Sequence, residues 1–417
     1  ELVKKYTDEK RRHYYLAVLY HRMDEYDEAI KHLEMTIKLD PSYGFAINQL
    51  AYVYTSKGDY PQAIEYFTRY AEVAPNDANP FDSMADVYFF QGKLDEAITS
   101  YKQALKIKTD FISGKKIAYI YALKEDYREA EKWINYHIEN TIEPGERSEG
   151  YLWKGCLLYW LGDFEKSLQN LDHAKNIVKP YGYENRIAMI TMIEAWLYLA
   201  KGDYKKSRQY FNNYYNFREK ETLAKADAEL FKIFFMGKID LAEDQIDSAR
   251  IRLEQTNNIL IQNQDKISSK VKYLINIFHL DLLIKEGKIE KAIQLSEKIE
   301  FSEKIPLPQH TNEMIEYNIP FIVDYTGQIY NLQGDLNRAI QEYEKLITFN
   351  PDGNNRRLIH PILHYCLAKL YDRRGFKIKA RLEYQKFLGF WKNANHSLPE
   401  IIDVKSRLAA LNNLSSN

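Results

Sequence analysis

"GDYPQAIEYFTRYAEVAPND", residues 58 to 77, opens on a glycine and runs into a helix whose small and large residues fall at fixed steps. Ala63 stands five residues after Gly58, Phe67 four further on and Tyr70 three beyond that. The pattern returns as "GKLDEAITSYKQALKI", residues 92 to 107, with Ala97, Tyr101 and Ala104 in the same places. Steps of four and three set such residues on one face of an α-helix.

A glycine followed five residues later by Ala or Ser recurs at Gly58/Ala63, Gly92/Ala97, Gly162/Ser167, Gly202/Ser207, Gly287/Ala292, Gly334/Ala339 and Gly375/Ala380, seven pairs from 17 glycines. Each glycine follows an apolar-periodic segment such as "INQLAYVYTSK" or "FDSMADVYFFQ" and precedes another, so the unit is helix, short turn, helix. A left-handed C-cap explains the glycine, and Pro61 sits in a first turn, where its missing N–H costs nothing. Pro41, Pro75 and Pro351 stop the second helices.

Leu50, Ala51, Tyr54, Gly58, Ala63, Phe67 and Pro75 carry a family signature: the unit resembles the tetratricopeptide repeat, a helix pair of about 34 residues. Copies begin near residues 10, 44, 78, 111, 148, 188, 230, 273, 320 and 361, covering nearly the whole chain. The resemblance implies an all-α, right-handed solenoid of about ten helix pairs. In the fourth copy Glu125 replaces the turn glycine, while Ala118, Tyr121 and Ala130 fit. The seventh copy has two registers, one through Met236, Gly237, Ala249 and Leu253, the other with Gly237 and Ala242 about the turn. "NTIEPGERSEG" (140–150) and "FSEKIPLPQHTNEMIEYN" (301–318) read as interruptions. The expected organisation is therefore four regular repeats over 1–140, divergent repeats with longer helices or linkers over 141–317, two repeats over 318–395, and a capping helix and tail over 396–417.

"FLGFWKNANHSLPEIIDVKSRLAAL", residues 387 to 411, is similar to the end of tetratricopeptide arrays appended to bacterial signalling proteins, including serine/threonine kinases and nucleotide cyclases. Leu398 and Pro399 introduce a last amphipathic helix there, with Ile401, Val404, Leu408 and Leu411 placed to cover the final repeat.

Composition narrows the partners. The 58 Lys and Arg nearly cancel 59 Asp and Glu, so no overall field draws the chain to nucleic acid or an anionic membrane. Cys156 and Cys366 have neither disulfide nor zinc spacing and read as reduced core residues. No apolar run approaches the ~20 residues of a membrane span. A cytoplasmic location is expected; because the sequence starts at Glu1, an exported or membrane-anchored origin is the alternative.

A solenoid of helix pairs leaves the inner faces of its first helices to line a concave surface. Beside the core stripe Ile47, Leu50, Ala51 and Tyr54, the groove-facing residues in copy two are Asn48, Tyr52 and Thr55. Tyr14, His21 and Arg22 correspond in copy one, Asn79, Asp82, Asp86 and Phe89 in copy three, and Lys115 and Tyr119 in copy four. Amides offer donor and acceptor to a peptide backbone, and tyrosines offer flat apolar area; the alternative is a merely solvated groove. Tyr14 and Val18 stand where the family's chaperone-tail binders keep a Lys and Asn carboxylate clamp, so terminal-carboxylate capture is disfavoured.

Farther along, the corresponding stripe turns apolar at Tyr159, Met192, Trp196 and Phe234. It reads either as an exposed contact patch, which would allow self-association, or as core buried by longer helices. Lys102, Lys106, Lys108, Lys115 and Lys116 read as a solvated face. His360 and His364 lack a third ligand nearby in sequence, and no phosphate loop, nucleophile elbow or catalytic carboxylate pair is present. The expectation is a non-catalytic scaffold, without cofactor or metal, that binds a protein or peptide; the alternative is the regulatory arm of a larger signalling protein.

Overall fold

Ten turns share one backbone geometry: Asp24, Gly58, Gly92, Glu125, Gly162, Gly202, Asp244, Gly287, Gly334 and Gly375 all have φ between 56° and 83°. At each, the next residue's N–H reaches back five residues to a carbonyl, at 2.8–3.0 Å. This closure satisfies carbonyls that the helix end leaves free. After five of the turns an aspartate (Asp59, Asp126, Asp163, Asp203, Asp335) accepts the N–H three residues on and caps the following helix.

The computed structural model describes residues 8–221, 225–263, 267–299, 318, 323–350 and 356–413, and among these the chain is all-α. The first four pairs are α1 (Glu9–Arg22) with α2 (Tyr26–Leu39), α3 (Gly44–Lys57) with α4 (Tyr60–Val73), α5 (Asn79–Phe90) with α6 (Leu94–Ile107), and α7 (Ser113–Leu123) with α8 (Tyr127–Asn140). Next come α9 (Pro144–Trp160) with α10 (Phe164–Val178), α11 (Glu184–Ala200) with α12 (Tyr204–Glu221), and α13 (Lys225–Ala242) with α14 (Ile246–Gln262). The last are α15 (Ser269–Lys285) with α16 (Ile289–Ser296), α17 (Tyr325–Leu332) with α18 (Leu336–Leu346), and α19 (Ile362–Arg374) with α20 (Lys377–Phe390), followed by α21 (Pro399–Asn413). Pro351 and most of the 301–318 stretch lie outside the described residues.

One sequence alternative is decided and one reading is corrected. Gly237 and Ala242 both lie inside α13, and the turn falls at Asp244, so the seventh copy follows the register through Met236 and Ala249. The 140–150 stretch is mostly helix: Pro144 opens α9, and Glu143 caps it by accepting the Glu146 N–H at 2.6 Å. The stretched repeats are built from longer helices, 17 or 18 residues where the early ones have 14 or fewer.

Helices within a pair approach closely because one side of the crossing is small. Within the ninth pair a Cβ on Gly327 would stand 2.5 Å from Tyr343, and between the first helices of successive pairs one on Gly237 would stand 2.2 Å from the Phe278 ring. On the second helices Ala63, Ala97, Ala130, Ala249 and Ala339 are fully buried.

The described residues form two compact units. The first comprises those of Glu1–Ile142 with Asn350 and Arg356; the second comprises the remainder. Within the second unit α21 lays Ile401, Val404 and Leu411 onto the last pair, as a cap. That unit also meets itself across five repeats: the Trp391 indole Nε1–H donates to the Trp160 carbonyl at 2.9 Å, and its ring packs over Gly162.

Candidate functional site

Counted from the start of each copy, the side chains expected to face a groove stand at the fifth, ninth and twelfth places of the first helix. In the first three repeats these groups bond chiefly to neighbouring groups of the protein. His21 Nε2 lies 2.8 Å from Ser56 Oγ, and its Nδ1 lies 2.7 Å from Gln49 Nε2; burial lowers its pKa. Asn79 Nδ2 donates to Asn48 Oδ1 over a long 3.4 Å. Tyr52 shares a hydrogen bond with Ser83 at 2.7 Å and sets its ring edgewise on Phe67; burial pushes its pKa up to about 12. Thr55 donates back to the Ala51 carbonyl, Tyr14 packs edge-on against Tyr43, and Arg22 is exposed.

Exposure falls away in repeats three and four. Asp82, Asp86, Phe89, Lys115 and Tyr119 are all at most 4% exposed. The two aspartates face inward because Lys116 reaches them: its ammonium lies 2.6 Å from Asp82 and 2.9 Å from Asp86. Tyr101 donates to Asp86 at 2.5 Å and Ser113 to Asp82 at 2.6 Å, so each carboxylate is also hydrogen-bonded. Burial opposes charge on Lys116, but the adjoining carboxylates outweigh it and hold its pKa above the usual value. Lys115 and Lys116 are therefore interior residues, correcting the solvated-face expectation.

Phe89 and Tyr119 are covered within the first unit by Arg356, a residue the sequence reading did not single out. Its guanidinium lies 5.2 Å from the Phe89 ring centroid and donates to the Phe90 carbonyl at 2.7 Å. Tyr119 in turn donates to the Arg356 carbonyl at 3.0 Å.

In the second unit Tyr159, Met192, Trp196 and Phe234 are buried among other rings, with Trp196 4.8 Å from Phe235 and Tyr159 5.9 Å from Phe164. They contribute interior packing. Continuing the same register reveals what was missed: the ninth places of copies seven to nine are Lys238, Asp281 and Gln328. With Leu199, Leu241 and Ile284 they line a cavity of about 570 Å³, across which Lys238 pairs with Asp281 at 2.6 Å.

The titratable groups set aside as weak catalytic candidates have packing roles. His364 Nδ1 meets Glu383 at 2.6 Å in the core. His360 is buried beside Trp160, and its Nδ1 accepts the Ile362 N–H at 3.2 Å; burial lowers its pKa to about 3. Burial pushes both thiols, Cys156 and Cys366, up to about 12, which leaves them protonated.

Tetratricopeptide-repeat family models match residues 11–43, 44–110 and 327–352. The chain carries tetratricopeptide repeats. Solved structures similar to this array include MamA, at 18% identity and TM-score 0.34 over 42% of this chain and 98% of that one. PilF of Pseudomonas aeruginosa follows, at 17% and 0.40 over 53% and 92%. A mutant O-GlcNAc transferase of Thermobaculum terrenum stands at 16% and 0.28 over 31% and 25%. Comparison with the curated proteins yields no match. Tetratricopeptide repeats mediate protein–protein interaction, and among the described residues no helix is long and apolar enough to cross a membrane.

Proposed function

We propose that this array is a non-catalytic interaction scaffold that holds an extended segment of a partner protein along the inner face of its first two repeats and the start of the third. The reading rests on one contrast. Tyr14, His21, Arg22, Asn48, Tyr52, Thr55 and Asn79 keep partial or full exposure, whereas Asp82, Asp86 and Phe89 of the third repeat, Lys115 and Tyr119 of the fourth, and Tyr159, Met192, Trp196 and Phe234 farther along are buried. Asn48 and Asn79 hold each other only at 3.4 Å, so their amides are the groups most readily exchanged for a partner's main chain. Tyr14 supplies ring area in the first repeat.

The test uses the full chain as bait, with a captured partner then titrated against variants. Asn48→Ala with Asn79→Ala is expected to weaken that partner by roughly tenfold or more, with the melting temperature nearly retained. The exposed outer-helix change Glu65→Ala is expected to do little. A partner insensitive to the asparagine pair but weakened by Glu65→Ala would place the binding surface on the opposite side.

A further inference from the structure

Arg356 is 3% exposed, in a stretch, residues 356–360, with neither helix nor strand. Its contacts are those by which an extended peptide is gripped. The planar guanidinium lies over Phe89 and donates to a main-chain carbonyl, that of Phe90. Its own main-chain carbonyl accepts from the Tyr119 hydroxyl. Cation–π stacking, hydrogen bonding through the guanidinium and side-chain grips on the main chain are separable recognition elements, and all three are present.

A residue needed only to cover Phe89 would be cheaper as leucine, since removing a guanidinium from water costs free energy unless its donors are matched. Phe89 is already oriented by an edgewise contact with Tyr119, ring centroids 6.3 Å apart, so the aromatic floor and the hydroxyl come as one unit. Both residues stand at inner-face places of their repeats, in the twelfth and ninth positions.

We propose that Phe89, the Phe90 carbonyl and Tyr119 form an arginine subsite of the groove that the chain's own Arg356 fills in cis, so that an arginine-bearing extended segment of a partner binds there by displacing it. The inference rests on the groove reading above in taking the competitor to be a partner's segment.

The probe is a fluorescein-labelled heptapeptide copying residues 355–361, NRRLIHP, with a second version carrying alanine in place of the arginine that copies Arg356. Fluorescence anisotropy is read on the full chain, with folding checked by circular dichroism. The Arg356→Ala chain is expected to bind the arginine peptide at least tenfold more tightly than the unaltered chain does. It should bind the alanine peptide at least tenfold more weakly, and adding Tyr119→Phe should remove part of the gain. Should Arg356→Ala fail to fold, Arg356→Lys, which keeps charge and stem but lacks the planar fork, replaces it with the same expected order. Equal binding by altered and unaltered chains, or indifference to the peptide's arginine, overturns the proposal and leaves Arg356 as cover. A captured partner that depends on Asn48 and Asn79 yet binds the unaltered and Arg356→Ala chains equally overturns the competition alone. The reverse result, arginine-dependent peptide binding with a partner indifferent to the asparagines, keeps the subsite and removes the groove reading.

Discussion

The ammonium of Lys116 lies 2.6 Å from the carboxylate of Asp82 in an interior where neither side chain is more than 4% exposed. With Asp86 beside them, two carboxylates share one ammonium, and every partner is supplied by the protein. Removing the cation alone strands two buried carboxyls. Lys116→Met is expected to cost about 3–5 kcal/mol in urea denaturation. An unchanged midpoint would show that the cluster relaxes into water.

The same cluster sets a pH dependence. Burial raises the Asp86 pKa to about 6, against the pull of Lys116. Its folded value exceeds its unfolded value of 3.8, so the stability it contributes is complete below pH 3.8 and is lost as pH rises toward 6. Asp86→Asn is expected to remove that fall, which denaturation midpoints between pH 4 and 6 measure directly.

His360 pulls the other way. Burial lowers its pKa from 6.5 to about 3, and the Nδ1 that accepts the Ile362 N–H must stay unprotonated. Its contribution is present above pH 6.5 and is lost as pH falls toward 3, by about 1.4 kcal/mol per pH unit within that window. His360→Phe is expected to flatten this limb, and a parallel pH profile for variant and unaltered chain would contradict the assignment.

Glu125 holds φ +57° where seven other turns use glycine. Side chains with a Cβ lose about 1–2 kcal/mol in that region. Glu125→Gly is therefore expected to raise the melting temperature. Gly58→Ala, where the added Cβ meets nothing within 4 Å, is expected to lower it by backbone strain alone. Thermal melts of the two variants should shift in opposite directions.

Gly237 tests the helix crossing. Alanine favours a helix interior by about 1 kcal/mol over glycine, yet here its Cβ would stand 2.2 Å from the buried Phe278 ring. Gly237→Ala is expected to destabilise by about 1–3 kcal/mol. A stabilised variant would mean that the ring moves aside freely.

The repeat register, the turns and the C-terminal cap were legible from sequence because each depends on residues within one repeat or on the next repeat's stacked face. Even Asp24, Glu125 and Asp244, which lack the glycine signal, are marked by the alanine five residues later and by the spacing of their neighbours. The row Lys238, Asp281 and Gln328 was available to the same counting. Exposure was not. Lys116 reads as a surface lysine until Asp82 and Asp86, 34 and 30 residues earlier, are brought against it from the preceding repeat. Arg356 on Phe90 and Trp391 on Trp160 span 266 and 231 residues. A periodic pattern records which face of a helix turns inward toward its neighbours, since stacking selects residues at that period. It carries nothing about which distant segment covers the remaining face, because a single contact made once leaves no period to read; that was decided only when the chain folded back on itself.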